Sequence, residues 1–135
     1  MDNCYNIPHV WIRGWLCKTN TVSNTAYRGF GGPQGMYIGE SIMYEISEAL
    51  DIDIDELRLR NLYKVGQRTP FLQEITDDFH IPTMLEQISI TSGFEKRKND
   101  VKEFNAKNRF KKRGICRIPS KFGLRCALRP SFTVF

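Results

Sequence analysis

Apolar side chains recur at intervals of three or four residues along the chain, a spacing typical of amphipathic helices. The clearest run follows Pro33, a residue that suits the first turn of a helix. Its apolar positions are Met36, Ile42, Met43, Ile46 and Leu50. We expect the stripe from Met36 to Ile46 to lie in the core. The periodicity predicts helices over residues 34–50, 53–62, 83–92 and 94–111.

Polar residues at fixed spacing indicate where two of these helices begin. Asp53 stands three residues before Glu56, which is the spacing of a capping box with Asp in place of the usual Ser or Thr. Thr83 stands three residues before Glu86 and predicts a second box. Gly93 predicts the end of the third helix, since glycine favours the backbone conformation that follows a helix.

The rest of the chain carries weaker signals. Residues 1–27 mix β-branched, aromatic and polar side chains and predict irregular strand and loop. Residues 115–118 predict a short strand, and residues 119–130 predict a loop. Helices between flanking strand regions favour an α+β fold, with about four helices and short flanking strands.

Composition agrees with one folded domain. The chain has 135 residues, of which 41% are hydrophobic and 26% charged. No apolar run has the length of a membrane span, and the first residues lack a secretory signal pattern. The four cysteines stand at irregular spacing, which argues against a zinc ribbon or an iron–sulfur cluster. These features predict a protein without a membrane span, with reduced thiols in a cytosolic setting.

Charge is unevenly distributed along the chain. Residues 1–94 carry seven Lys/Arg against twelve Asp/Glu, whereas residues 95–135 carry thirteen against three. The basic part is open to three interpretations: a solvated helix face, a nucleic-acid-binding surface, or a surface that docks on an acidic neighbour. The solvated face is favoured over the nucleic-acid surface, because no nucleic-acid motif and no aromatic stacking platform accompany the charge.

A glycine-rich loop precedes the first predicted helix and is the strongest candidate for chemistry. Four glycines crowd into residues 29–35, directly after Arg28. Glycines let backbone approach a ligand, a helix start provides N–H donors, and an arginine adds a fork of donors. The pattern suits an anionic ligand but matches neither a Walker A loop nor a dinucleotide fingerprint. The alternative is a tight structural turn with Phe30 buried in the core.

Other candidate residues carry weaker signals. His9 and His80 are far apart and have no second ligand at metal spacing. The alternating acids at Asp51, Asp53 and Asp55 lack the glycine and the glutamate of a calcium loop, so they predict an acidic helix start.

Several motifs are shared with one enzyme family. They are MDNCY at residues 1–5, CKTN at 17–20, SNTAYRGFGGPQG at 23–35, RNLYK at 60–64, KKRG at 111–114 and KFG at 121–123. With these motifs the chain resembles, over residues 1–124, the molybdenum-cofactor domain of the xanthine dehydrogenase/oxidase family, which are molybdenum hydroxylases. The Gly31-Gly32 pair is more similar to xanthine dehydrogenases than to the related aldehyde oxidases.

The resemblance implies specific roles. Residues 1–135 would be an internal part of a molybdopterin-binding domain in an oxidoreductase that converts hypoxanthine and xanthine to urate. It implies that Arg28 binds the molybdenum cofactor without ligating the metal. It also implies that Phe30, Phe132 and Thr133 contact the purine substrate. Residues 125–130 have no counterpart in the family and are either a true insertion or a gene-model error. A true insertion would move Phe132 and Thr133 away from the substrate pocket.

The resemblance also implies what lies elsewhere. The family's general base maps outside this chain, so no catalytic residue is expected in it. Iron–sulfur clusters, FAD and NAD belong to the full-length enzyme, which is a homodimer, cytoplasmic or peroxisomal, and binds neither nucleic acid nor membrane. We expect the isolated chain to be inactive. The alternatives are an inert truncated or pseudogene-derived chain, an aldehyde oxidase-like fragment, or a basic nucleic-acid-binding module.

Overall fold

A computed structural model of the chain describes residues 2–122. The described part contains helices α1 (Gly32–Leu50), α2 (Ile54–Asn61), α3 (Ile81–Ser92) and α4 (Phe94–Lys107). Helix α1 packs against α2, and α3 packs against α4. The four predicted helices are therefore confirmed, with small shifts at their ends.

The predicted flanking strands are wrong for the part of the chain that the structure describes. Residues 115–118 form no strand, and residues 2–27 contribute a single isolated antiparallel bridge, from Tyr5 to Leu62. A second isolated bridge joins Arg68 to Glu74. A strand needs a neighbour to complete its ladder of hydrogen bonds, and these extended segments have none here. The observed architecture is thus helical, without the strands of the predicted α+β class.

Asp53 caps helix α2 as the sequence predicts, whereas the described residues do not form the second bond of the predicted capping box, from the backbone N–H of Asp53 to the Glu56 side chain. The Asp53 carboxylate accepts hydrogen bonds from the backbone N–H groups of Asp55 at 2.9 Å and Glu56 at 3.3 Å. These bonds satisfy two of the donors that a helix start leaves unpaired. The Glu56 side chain pairs with Arg60, one turn further along the helix.

Helices α3 and α4 depart from their predicted ends. Helix α3 begins at Ile81 after His80, so Thr83 lies inside the first turn and the predicted capping box with Glu86 is wrong. A proline at the start of α3 supplies the fixed backbone angle that a first turn needs. Gly93 ends α3 in the left-handed conformation, with φ of 61°, as predicted. Helix α4 ends at Lys107, four residues earlier than predicted.

The core is small and lies where the start of the chain meets α1 and α2. Its buried apolar residues are Cys4, Tyr5, Met43, Leu57, Leu62 and Leu85. Only part of the predicted core stripe belongs to it. Met43 is buried, whereas Ile42 and Ile46 are exposed on the neighbouring face of α1. They line an open apolar groove of about 550 Å³ together with residues 5–12.

An extended segment, residues 10–27, crosses the surface without regular structure. Trp11 and Trp15 are each more than three-quarters exposed, and Leu16 is fully exposed. No helix in the described residues is long and apolar enough to cross a membrane.

Candidate functional site

The glycine-rich loop adopts an unusual backbone. Three consecutive residues have positive φ: Gly29 at 100°, Phe30 at 48° and Gly31 at 80°. Glycine adopts such angles without steric cost, but an aromatic residue does not. Phe30 is therefore held in a conformation that its side chain disfavours, and the side chain itself is 93% exposed. The side chain is thus outside the core, so the burial of Phe30 that the structural-turn alternative expected is wrong.

The loop uses several of its own backbone donors. The N–H of Phe30 bonds the carbonyl of Tyr27 at 3.1 Å, and the N–H of Gly32 bonds that of Gly29 at 2.8 Å. The N–H of Gly35 bonds the carbonyl of Gly31 at 2.9 Å. Pro33 has no N–H to offer. The start of α1 therefore presents fewer free N–H donors than a helix start usually does. A ligand bound at this loop would depend more on side chains.

Two glycines are required by close packing. A methyl group on Gly29 would lie 2.7 Å from Cδ of Pro33. One on Gly32 would lie 2.4 Å from Cε2 of Phe122. Both distances are shorter than any stable carbon–carbon contact. The loop is thus packed on its inner side against Pro33 and Phe122, and only its outer side is free to meet a ligand.

Arg28 is the charged group of the loop. It lies exposed at the surface, and its guanidinium forms no ion pair or hydrogen bond with any other residue of the described part. An unpaired guanidinium presents five N–H donors that suit phosphate and other oxyanions. These residues fit an anionic cofactor such as one with a phosphate group. Arg28 is a charged donor, the glycines let the ligand approach the backbone, and the exposed ring of Phe30 lies in the same loop.

A buried polar network joins the start of the chain and α2 to Glu40 of α1. Glu40 accepts hydrogen bonds from Nδ2 of Asn3 at 3.0 Å, the hydroxyl of Tyr5 at 2.6 Å and Nε of Arg58 at 2.9 Å. Burial and the bond to Glu40 raise the pKa of Tyr5 well above its ordinary range. The hydroxyl therefore stays protonated and continues to donate. No local pattern in the sequence marks this network, because the partners of Glu40 lie 18 to 37 positions away from it.

A second network joins α2 to α4. Nζ of Lys98 lies 2.8 Å from Asp53 and 2.9 Å from Asp55. Burial opposes the charged form of Lys98, but the hydrogen bonds to both aspartates prevail and raise its pKa. Arg117 approaches the same Asp55 carboxylate at 3.8 Å and lies over the ring of Phe94 at 4.7 Å. The acidic start of α2 is therefore paired with cations of this chain, as its interpretation as a helix start implies.

The remaining predicted candidates do not join the loop. His9 belongs to the apolar groove, and His80 precedes α3. Phe132 and Thr133 lie outside the described residues. Within residues 2–122, no three His, Cys, Asp or Glu side chains come together as a metal site.

The basic part of the chain is mostly exposed. Arg113 lies over the ring of Phe104 at 3.9 Å, and Asn105 receives the backbone N–H of Arg113 at 2.8 Å. These contacts fold the segment after α4 back onto that helix. Most of the described lysines and arginines of this part are exposed, as all three interpretations of the basic part require.

The chain is similar to known proteins along most of its length. Residues 1–62 match the family model of the molybdopterin cofactor-binding domain. The chain is 56% identical over 124 residues to nicotinate hydroxylase hnxS of Emericella nidulans, covering 92% of this chain and 9% of that protein. It is 46% identical over 124 residues to xanthine dehydrogenase of the same fungus, with the same coverage. It is 46% identical over 134 residues to xanthine dehydrogenase/oxidase of Felis catus, covering 99% of this chain and 10% of that protein. The chain thus spans about a tenth of the length of these curated relatives.

Proposed function

The chain belongs to the molybdenum hydroxylases, a family of oxidoreductases, and on that premise we propose that its loop of residues 28–32 binds the molybdenum–molybdopterin cofactor beside the substrate. In this proposal the chain is one internal part of a larger enzyme. It supplies contacts to cofactor and substrate, and the general base comes from elsewhere in the polypeptide.

The observation that carries this proposal is the exposed, unpaired guanidinium of Arg28 beside a loop with three consecutive positive φ angles. An arginine without an acceptor among residues 2–122 is available to an external anion, and the molybdenum cofactor, beside whose metal centre we place Arg28, carries anionic oxygens. When bound, the cofactor supplies the oxidising centre for hydroxylation of a ring carbon. Arg28 holds and orients it through charge-assisted hydrogen bonds.

Phe30 is the second residue of the proposal. Its ring is 93% exposed next to Arg28, where it gives a flat heterocyclic substrate an aromatic surface to pack against. We assign Phe30 to orienting the substrate ring and excluding water from it. Phe132 and Thr133 remain proposed substrate contacts on the resemblance alone.

The proposed substrate is a purine, with hypoxanthine and xanthine converted to urate, as the xanthine dehydrogenase relatives suggest. A second candidate has specific support: identity is 56% to the nicotinate hydroxylase against 46% to the xanthine dehydrogenase of the same fungus. Nicotinate is a pyridine that carries a carboxylate, and it too is a flat nitrogen heterocycle. Assay of the full-length enzyme with hypoxanthine and with nicotinate separates the two.

Further parts of the proposal concern the whole enzyme. Its iron–sulfur clusters, FAD and NAD site would lie in the remainder of the polypeptide, which is also the main partner of this chain. The enzyme would be a homodimer in the cytoplasm or the peroxisome. The isolated chain, without general base and redox centres, would be inactive.

The testing experiment replaces Arg28 by Ala in an intact homologue and measures molybdenum content and turnover. We expect cofactor content or kcat to fall by about tenfold or more, because loss of a charge-assisted pair costs roughly 1.5–3 kcal/mol. Arg97→Ala is the matched control, since Arg97 is also exposed but lies on α4. Normal metal content and normal turnover in Arg28→Ala would overturn the proposal.

A further inference from the structure

Phe122 contacts the last glycine of the proposed cofactor loop from a distant part of the chain. We propose that Phe122 is a positioning residue for the loop of residues 28–32, and that Asn3 fixes Phe122 through the segment before it. This inference rests on the proposed function for its catalytic consequence. Its structural part stands on contacts within the chain.

The first step is the contact between ring and loop. Gly32 begins α1, and a methyl group built on it would lie 2.4 Å from Cε2 and 2.8 Å from Cδ2 of Phe122. The ring, although 52% exposed, therefore lies directly against the backbone of Gly32, and a side chain at residue 32 would have to displace it. Gly32 is both the last residue of the loop and the first residue of α1. The ring of Phe122 therefore contacts the junction between the loop and the helix.

The second step is what fixes Phe122. Asn3 is buried, and its side chain bonds the segment before Phe122 twice. Its Nδ2 donates to the carbonyl of Pro119 at 2.8 Å, and its Oδ1 accepts the backbone N–H of Lys121 at 3.2 Å. Asn3 itself has a left-handed φ of 48°, a conformation that asparagine tolerates better than most residues. An amide with both donor and acceptor is required here, which neither Asp nor Leu supplies.

The third step is the anchoring of Lys121 next to the ring. Its Nζ lies 3.3 Å from the carboxylate of Asp2 and about equally far from two rings, 5.4 Å from Tyr63 and 5.3 Å from Phe71. The residue directly before Phe122 is thus held through its backbone and through its side chain. The start of the chain, the segment before residue 122 and the loop form one continuous connection.

The contacts have a consequence for the reaction. Arg28 and Phe30 act on a cofactor and a substrate whose relative position must hold to within a fraction of an ångström. The loop has no hydrophobic anchor of its own, since Phe30 is exposed and its neighbours are glycines. The ring of Phe122 supplies that anchor from outside the loop.

The experiment uses an intact homologue with the substitutions Phe122→Ala, Gly32→Ala and both together, and Phe110→Ala as control. Phe110 is an equally large ring, 91% exposed, with Arg109 lying over it. Three quantities are measured: the rate of tryptic cleavage after Arg28, the molybdenum content, and kcat and KM separately. Cleavage reports loop mobility and does not depend on activity.

We expect Phe122→Ala to speed cleavage after Arg28 several-fold, since local opening determines proteolysis of a native loop. We expect kcat to fall by about tenfold or more, with little change in KM, because misplacement by 1 Å can cost far more than that. Phe122→Leu should restore most of the turnover. The two substitutions should also be non-additive: in the Gly32→Ala background, Phe122→Ala makes room for the added methyl group and should cause no further loss.

Unchanged cleavage in Phe122→Ala, or fully additive losses in the double variant, would overturn the positioning role. A raised KM with normal cleavage would also overturn it, since that result assigns the ring to substrate contact. Faster cleavage together with normal metal content and turnover would support the connection between Phe122 and the loop. That outcome would instead reject the function proposed for the loop.

Discussion

Nε of Arg58 donates a 2.9 Å hydrogen bond to Oε2 of Glu40, and both side chains are about nine-tenths buried. This pair joins α2 to α1 inside the small core. Arg58 also lies 3.5 Å from Asp55, yet its Nη1 has no hydrogen-bond partner among the described residues. Glu40 is therefore the main partner of the Arg58 guanidinium. Its carboxylate also accepts hydrogen bonds from Asn3 and Tyr5.

The first prediction concerns the removal of this carboxylate. Glu40→Leu leaves a buried guanidinium without its main partner and should lower the free energy of unfolding by about 3–5 kcal/mol. Glu45→Leu, at an exposed position of the same helix, should change it by less than about 0.5 kcal/mol. Urea unfolding followed by circular dichroism measures both. Equal effects of the two substitutions would show that the pair does not hold α1 and α2 together.

The second prediction concerns acid stability. The bond from Lys98 holds the pKa of Asp53 below its ordinary value of 3.8; burial opposes this, and the backbone N–H groups of Glu56 and Asp55 add to it. A carboxyl with a lowered folded pKa stabilises the fold fully above its unfolded pKa, and this stabilisation is lost as pH falls through the folded value. Stability should therefore drop below about pH 4.

In Asp53→Asn that drop should be smaller, because the amide cannot titrate and pairs only weakly with Lys98. Asp100→Asn, at an exposed position of α4, should keep the drop unchanged. Thermal unfolding between about pH 2 and pH 7 tests this. An identical pH dependence in wild type and Asp53→Asn would contradict the prediction.

The third prediction concerns thiol reactivity. Burial raises the pKa of the Cys4 thiol to about 12, with Lys121 opposing it, and the side chain is fully buried. Cys17 and Cys116 are exposed. Since the thiolate is the reactive form, iodoacetamide at about pH 8 should label Cys17 and Cys116 well before Cys4. Mass spectrometry of the 135-residue chain after timed labelling measures this order, and urea should abolish the difference.

The fourth prediction separates Phe30 from Arg28. Phe30→Ala removes an exposed ring and should weaken substrate handling, with KM raised several-fold, while molybdenum content stays normal. Residue 30 keeps its left-handed conformation and its Cβ atom in Phe30→Ala, and the ring is exposed, so the stability should change little. Tyr27→Ala, which removes another exposed ring before the loop, is the control. Lost cofactor in Phe30→Ala would move this residue from substrate contact to cofactor contact.

Hydrophobic periodicity alone determined the existence of the four helices, because the spacing of apolar residues is a local property of the chain. Local chemistry likewise determined the cap at Asp53 and the end of α3 at Gly93, since each depends on residues within one turn. The motifs around residues 17–35 determined the family. Each of these features needs information from a few neighbouring positions only.

Only the tertiary structure decided which segments pair as strands, which apolar side chains are buried and which distant residues come into contact. The expected strands are absent from residues 2–122 because a strand depends on a neighbour at any distance along the sequence. Ile42 and Ile46 are exposed although their spacing predicts core, since burial depends on what packs against that face. Glu40 and Phe122 carry no local signal, because their partners are 18 to 90 positions away and only folding brings them together.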